Sequence, residues 1–251
     1  MSEKIAFVTG AASGIGEAVS RQLRAAGMRV AMCDINASEG ERIAQEIGSY
    51  FIHCDVQRVD SVEAAVHECA STVGVPDYAH LNAGIMTAAP GERFLAIEDV
   101  SIEQYRRITG INMDGVFFGL KALVPRMKAK GAGAITITAS IAGLGALGID
   151  PLYSMSKYGM IGLGRGVAAA NAKTGLRVNV ICPGVVDTPI LPEELSPPKA
   201  RRMPPSVLAE EVVDLLLRGE NGEVRVKLTG KPSFRMEVPD LNALAEGKVN
   251  T

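Results

Sequence analysis

Short runs of β-branched and apolar residues recur along this chain, separated by longer segments whose apolar residues repeat with a helical period. That alternation constrains the fold more than any other feature. Runs at 4–8, 29–33, 50–54, 78–81, 134–139, 177–181 and 224–228 read as strands. Segments near 14–26, 38–47, 60–73, 101–129, 152–173 and 206–217 read as helices. Strands such as "IAFV" and "VNVI" are apolar at nearly every position, so both of their faces need cover. A half-solvated antiparallel sheet would alternate polar and apolar instead. The pattern therefore predicts an α/β fold, one doubly wound parallel sheet of about seven strands with helices on both faces. With 251 residues, 47% of them hydrophobic, the chain suits one domain over 1–251.

Several function classes find no support. A net charge of −2 offers no electrostatic basis for nucleic acid or an anionic membrane as partner. The opening "MSEKIAFVTG" has no basic region ahead of an apolar run, so no secretory signal is expected. The uncharged stretch "GAGAITITASIAGLGALGI" (131–149) is broken by five glycines and reads as a strand and loop, not a membrane span. Cysteines 33, 54, 69 and 182 form no C-x-x-C pair, which suggests free thiols in a reducing, cytoplasmic setting. His53, His67 and His80 read as structural, and no metal site is expected. Neither G-x-S-x-G nor H-E-x-x-H occurs, so a serine hydrolase or zinc peptidase is unsupported.

Four strand ends carry groups suited to a dinucleotide. "TGAASGIG" (9–16) joins the first strand to the first helix, with Gly10, Gly14 and Gly16 permitting close backbone approach and Ser13 and Ile15 beside the helix N-terminus. Asp34 closes the second strand, where a carboxylate accepts from ribose hydroxyls and repels a 2′-phosphate. Ile35 follows it, and no Arg or Lys occurs in 5–20, so NAD is expected over NADP. Asp55-Val56 closes the third strand and "LNAG", with Asn82, Ala83 and Gly84, the fourth. Ligands of open α/β sheets bind beyond the carboxyl ends of the strands, so these groups should share one crevice.

Tyr153 and Lys157 are four residues apart in a helical segment and so share a face. A phenol that takes a proton from an alcohol at neutral pH must be acidified by about 3 units. One charge at about 4 Å and an effective dielectric near 20 is worth roughly 4 kcal/mol, enough for that shift. Lys157 is therefore expected to lower the tyrosine pKa, helped by any positive end of a bound nicotinamide, with Ser140 donating to the developing alkoxide.

Taken together, T-G-x-x-x-G-I-G, Asp34, Asp55-Val56, N-A-G, Asn112 in "INMDGVFFG", Ser140, Y-x-x-x-K and Pro183-Gly184 resemble the short-chain dehydrogenase/reductase family from residue 4 to about 189. The resemblance implies a Rossmann-type seven-stranded parallel sheet and hydride exchange between a nicotinamide cofactor and an alcohol or carbonyl. It implies Tyr153 as the acid–base, Lys157 as its activator and a cofactor ligand, Ser140 as the substrate-oxygen partner and Asn112 as the fourth catalytic member. Asn82 would brace the fourth strand, and Val186 and Thr188 would meet the cofactor. It also implies a homodimer or homotetramer, through the helices at 101–129 and 152–173.

The chain departs from that pattern at three places. L-N-A-G replaces N-N-A-G, "MTAAPGERFLAIED" lengthens the stretch between Gly84 and Asn112, and a D-G-G ending is missing. Prolines at 183, 189, 192, 197, 198, 204 and 205 predict a non-helical substrate flap over about 185–205. Ile190 and Leu191 of the flap, with Met86 and Phe94 of the insertion, predict an apolar pocket for a secondary alcohol or ketone. "KARR" (199–202) reads as a solvated run. The expected activity is that of an NAD-dependent alcohol dehydrogenase (EC 1.1.1.-). The alternatives are an NADPH-dependent carbonyl reductase and a non-catalytic nucleotide-binding scaffold.

Overall fold

A computed structural model describes residues 3–89, 91–191, 198–237 and 245–246. Eight strands form one sheet in the order β3-β2-β1-β4-β5-β6-β7-β8. They are β1 (Ile5–Thr9), β2 (Arg29–Asp34), β3 (Tyr50–His53), β4 (Tyr78–Leu81), β5 (Gly133–Thr138), β6 (Leu176–Pro183), β7 (Val224–Lys227) and β8 (Phe234–Arg235). The first seven are parallel, as expected. The eighth was not foreseen. It runs antiparallel to β7, pairing Arg225 with Arg235 and Val226 with Phe234, and its two residues are too short to show a period in the sequence.

Alternation within each strand explains the doubly apolar runs. In β1, Ala6 and Val8 face one layer with Val19, Leu23, Ile43 and Leu208, from helices α1 (Gly14–Ala25), α2 (Ala37–Ile47) and α7 (Pro205–Arg218). Phe7 faces the opposite layer with Val66, Leu123 and Met160, from α3 (Val59–Glu68), α5 (Gly115–Ala129) and α6 (Pro151–Ala170). Both sides of the sheet are thus removed from water, which the strand compositions required.

The segment expected as one helix over 101–129 is one helical run with a defect. α4 (Ile102–Thr109) passes through a π-helical turn, Gly110–Asp114, into α5. That turn holds Asn112, and widened turns of this kind often re-aim side chains at functional sites. Between β1 and β4 the strand order reverses, so the loops after them diverge and leave a crevice at the carboxyl ends.

Of the flap expected at 185–205, residues 192–197 lie outside the described residues. Its base is tied: Asp187 N donates to Met203 O at 2.9 Å and Met203 N donates to Val185 O at 2.9 Å. Lys199–Arg201 forms one 3-10 turn. No described helix is long and apolar enough to cross a membrane.

Candidate active site

A cleft of about 310 Å³ lies at the reversal point. Its outer end is built from loops that the local sequence dictates. Gly10 and Gly14 hold φ of 64° and 54°, in the left-handed region where a side chain is strained. A Cβ on Gly16 would lie 2.0 Å from Gly10 O, so only glycine lets α1 start under the loop. Ser13 caps α1 without a side-chain hydrogen bond, which leaves the first backbone N–H groups of that helix directed at the cleft. This cradle has the shape and the unpaired N–H groups to receive a pyrophosphate, which the backbone at Gly10 and Ser13–Ile15 could hold.

Asp34 stands at the rim of the cradle. Its Oδ2 accepts from Ala12 N at 2.9 Å and its Oδ1 from Asn36 N at 2.9 Å. Capping of α2 falls to Asn36, whose Oδ1 accepts from Glu39 N, so the Asp34 carboxylate is not engaged as a helix cap. Ile35 is 59% exposed and lines the cleft together with Asp55, Val56 and Gln57.

The floor is cross-braced by Asn82. Its backbone N donates to Thr9 Oγ1 at 2.9 Å, its Nδ2 to Gly10 O at 3.3 Å, and its Oδ1 accepts from Thr138 Oγ1 at 3.1 Å. Three strand ends, β1, β4 and β5, meet through this one amide. Leu81, where the resembling pattern has a second Asn, points away from the cleft and packs on Gly119 in the core. His80 is buried behind the floor, near Thr136 O and Thr138 Oγ1, and burial pushes its pKa down to about 4, so it stays neutral.

The inner end holds the expected acid–base group. Asp150 caps α6 and Pro151 opens it, which projects Tyr153 and Lys157 from the first two turns into the cleft. Ser140 caps the short turn Ile141–Gly143, its Oγ accepting from Ala142 N at 3.1 Å. With that acceptor position filled, its hydroxyl proton is free for the Tyr153 oxygen, to which it hydrogen-bonds. Lys157 is 2% exposed and donates from Nζ to Thr138 O at 3.1 Å. Burial pushes its pKa down to about 8.

One expectation fails here. Lys157 does not by itself acidify the phenol. Its Nζ lies 5.3 Å from the centroid of the Tyr153 ring and donates to Thr138 O. The half-buried phenol is pushed up to about 12 by burial, against the downward pull of the Ser140 hydrogen bond. Desolvation of the phenolate outweighs the Ser140 hydrogen bond, with the Asp150 charge adding to the upward push. A base functional near neutral pH needs a further positive charge to enter the cleft.

Most residues expected at the site come together as its lining, from Gly10, Ser13, Gly14 and Ile15 through Asn82, Ala83 and Gly84 to Pro183, Val186 and Thr188. Two do not. Gly16 shapes the loop from below. Asn112, expected as a fourth catalytic member, is fully buried behind the wall. Its Oδ1 accepts from Ile85 N at 2.8 Å, and its Nδ2 donates to Ile85 O at 2.9 Å and Ser156 Oγ at 3.0 Å. Its side chain holds the strand-end loop and is spent doing so. Sequence reasoning missed Ile111 and Ile85, which line both the cleft and the neighbouring cavity. The apolar position just before Asn112 was the available signal.

That neighbouring cavity, of about 700 Å³, is bounded by Ile85, Met86, Ala88, Ala89, Ile190 and Leu191, with Glu92 and Arg107 at one side. Phe94 does not reach it. It turns instead into a small recess against Ile149–Leu152, because the insertion folds back on the start of α6.

A doubly wound sheet with a glycine cradle, a carboxylate at the second strand end and a Tyr-Lys pair at the inner end defines a dinucleotide-dependent oxidoreductase. The comparisons specify the family. Residues 4–198 match the family described as short chain dehydrogenase, and the chain belongs to it. It is 38% identical over 187 residues to a mitochondrial borneol dehydrogenase of Lavandula x intermedia, covering 74% of this chain and 71% of that one. It is 36% identical over 199 residues to a cyclohexanol dehydrogenase of an Acinetobacter species, covering 76% of each. Among solved structures, the 3-ketoacyl-(acyl-carrier-protein) reductase of Brucella melitensis complexed with NADH superposes with a TM-score of 0.83 at 26% identity, over 90% of this chain and 97% of that one. The protein is thus an oxidoreductase with a nicotinamide cofactor.

Proposed function

We propose that the protein is an NAD-dependent dehydrogenase that interconverts small alicyclic secondary alcohols and their ketones. The observation that carries this reading is the composition of the cleft. A carboxylate, Asp34, stands at its outer end, and among the described lining residues Lys157, at the inner end, is the only cation. A 2′-phosphate would meet a negative charge with nothing to offset it. The largely aliphatic cavity, which adjoins the Tyr153 cleft through Ile85, Ile111 and Ile190, suits a compact ring, and borneol and cyclohexanol, named for two relatives, are such alcohols.

A nicotinamide bound in this cleft would supply the acceptor for the hydride leaving the alcohol carbon. Tyr153 takes the hydroxyl proton, and Ser140 hydrogen-bonds to the substrate oxygen as its charge grows. Lys157, whose Nζ donates to Thr138 O, would hold the cofactor ribose and adds positive potential beneath the phenol. Asn112 positions Ile85 and the N-A-G backbone. The four described cysteines are free and buried, which agrees with a reducing compartment such as the cytoplasm. Exposed Phe117 on α5 and Met155 and Tyr158 on α6 support the reading that two or four copies assemble through these helices.

The test is titration with NAD and NADP followed by turnover of cyclohexanol and borneol. NAD should bind at least about tenfold tighter, a difference near 1.4 kcal/mol. Tyr153→Phe should lose about 10³-fold in kcat while binding NAD normally. Equal affinity for the two nucleotides, or an active Tyr153→Phe, overturns the reading.

A further inference from the structure

The inserted segment and the catalytic helix meet at one buried carboxylate. Asp150 is 2% exposed, and its two oxygens accept three hydrogen bonds. Oδ1 accepts from Thr87 Oγ1 at 2.6 Å and from Tyr153 N at 3.0 Å, and Oδ2 accepts from Thr87 N at 2.9 Å. Thr87 is held from its other side as well, its carbonyl accepting from Arg107 Nη2 at 2.7 Å. Its neighbours Met86, Ala88 and Ala89 form a wall of the 700 Å³ cavity. One carboxylate therefore grips both that wall and the turn bearing Tyr153.

Capping alone does not explain the residue. Asn or Ser caps a helix about as well as Asp, and neither brings a buried charge. Only a carboxylate accepts on both oxygens. An Asn here would set its amide hydrogens against a donor of Thr87 or of the helix.

We propose that Asp150 is a positioning residue that fastens the substrate-cavity wall at Thr87 to the first turn of α6 and so sets the approach of a bound alcohol to the Tyr153 oxygen. This rests on the reading of Tyr153 as the acid–base.

Several groups face this region. Lys157 lies over the Tyr153 ring from the same helix, Ser140 reaches the phenol from the loop after β5, and Cys182 of β6 faces Lys157. Arg93 of the insertion lines the recess at Asp150, and Arg107 of α4 acts through Thr87. The Asp150 charge pushes the phenol pKa up, adding to burial. Removing that charge should therefore ease loss of the phenol proton and move the corresponding limb of the pH profile to lower pH.

The experiment compares Asp150→Asn, Thr87→Val and Tyr153→Phe with wild type in cyclohexanol oxidation, recording kcat and KM against pH. A spectrophotometric titration of tyrosinate without nucleotide runs alongside, with Tyr153→Phe identifying that residue's contribution. Asp150→Asn should raise KM about tenfold, for loss of hydrogen bonds to a buried charged group, and should move both the kinetic limb and the Tyr153 titration to lower pH. Thr87→Val keeps the charge and the cap, so it should raise KM several-fold with the limb in place. A folded Asp150→Asn with unchanged KM and unchanged limb overturns the proposal. If that variant does not fold, Thr87→Val decides, and an unchanged KM there overturns it equally. An active Tyr153→Phe would instead sink the acid–base reading, whatever the other two variants do.

Discussion

At the Asp34 end of the cleft the walls are mostly backbone, supplied by loops a few residues long directly after each strand. At the Tyr153 end they are side chains and segments brought together from far apart in the chain. Gly10, Gly14 and Gly16 act within seven residues of one another, whereas Thr87 and Asp150 are 63 residues apart. The first construction depends on conformations that glycine alone permits. The second depends on satisfied buried polar groups, and on an ammonium and a phenol held out of water at a cost in stability. Nucleotide binding should thus be sensitive to shape, and turnover to charge.

Four substitutions probe that contrast, taken from the largest effect to the smallest. Lys157→Met should abolish measurable oxidation, a loss of about 10³-fold or more in kcat/KM. It should also raise the ligand-free Tm by about 5 °C, because the buried ammonium is held some units below its usual pKa. The unfolded chain keeps that proton to about 10.5 and the folded chain only to about 8, so wild-type stability should gain as pH climbs between these values. The variant should lack that gain in calorimetric melts. A lower Tm would mean that Lys157 is structural, and the contrast would break.

Gly16→Ala comes next. Its Cβ would press on Gly10 O, which cannot yield without moving the loop, and overpacking of that kind costs about 1–3 kcal/mol. NAD affinity should fall between about tenfold and a hundredfold by fluorescence titration, with the alcohol KM at saturating nucleotide little changed.

Met86→Ala should raise the KM for cyclohexanol by about tenfold, the worth of a few methylenes in an apolar pocket. Phe94→Ala should leave it within about twofold, since that ring faces the recess at Ile149–Leu152. If Phe94 matters as much as Met86, the insertion closes over substrate differently from the arrangement described.

How much of this was legible depends on range. Asp34 could be read because it ends an apolar strand beside a glycine loop, and its carboxylate does lie at the rim of that loop. Leu81 looked like a departure from pattern, and only its packing on Gly119 explains it: the position faces the core. Phe94 and Met86 were read alike because both are large and apolar in one segment. Which of them reaches the cavity follows from how the insertion folds back on α6. Asn112 was read as a catalytic member, but the π-helical turn buries it against Ile85.

Strand and helix positions, the parallel sheet and the glycine cradle follow from the sequence alone, because periodicity and backbone freedom are local properties. The proton affinity of Tyr153 does not. Spacing placed Lys157 on the same helical face, yet the sign of the phenol's shift was decided by burial and by where the ammonium points, and both depend on β5, β6 and the loop at Ser140. Electrostatic energy depends on surroundings in three dimensions, so only the tertiary structure determines which group holds the proton.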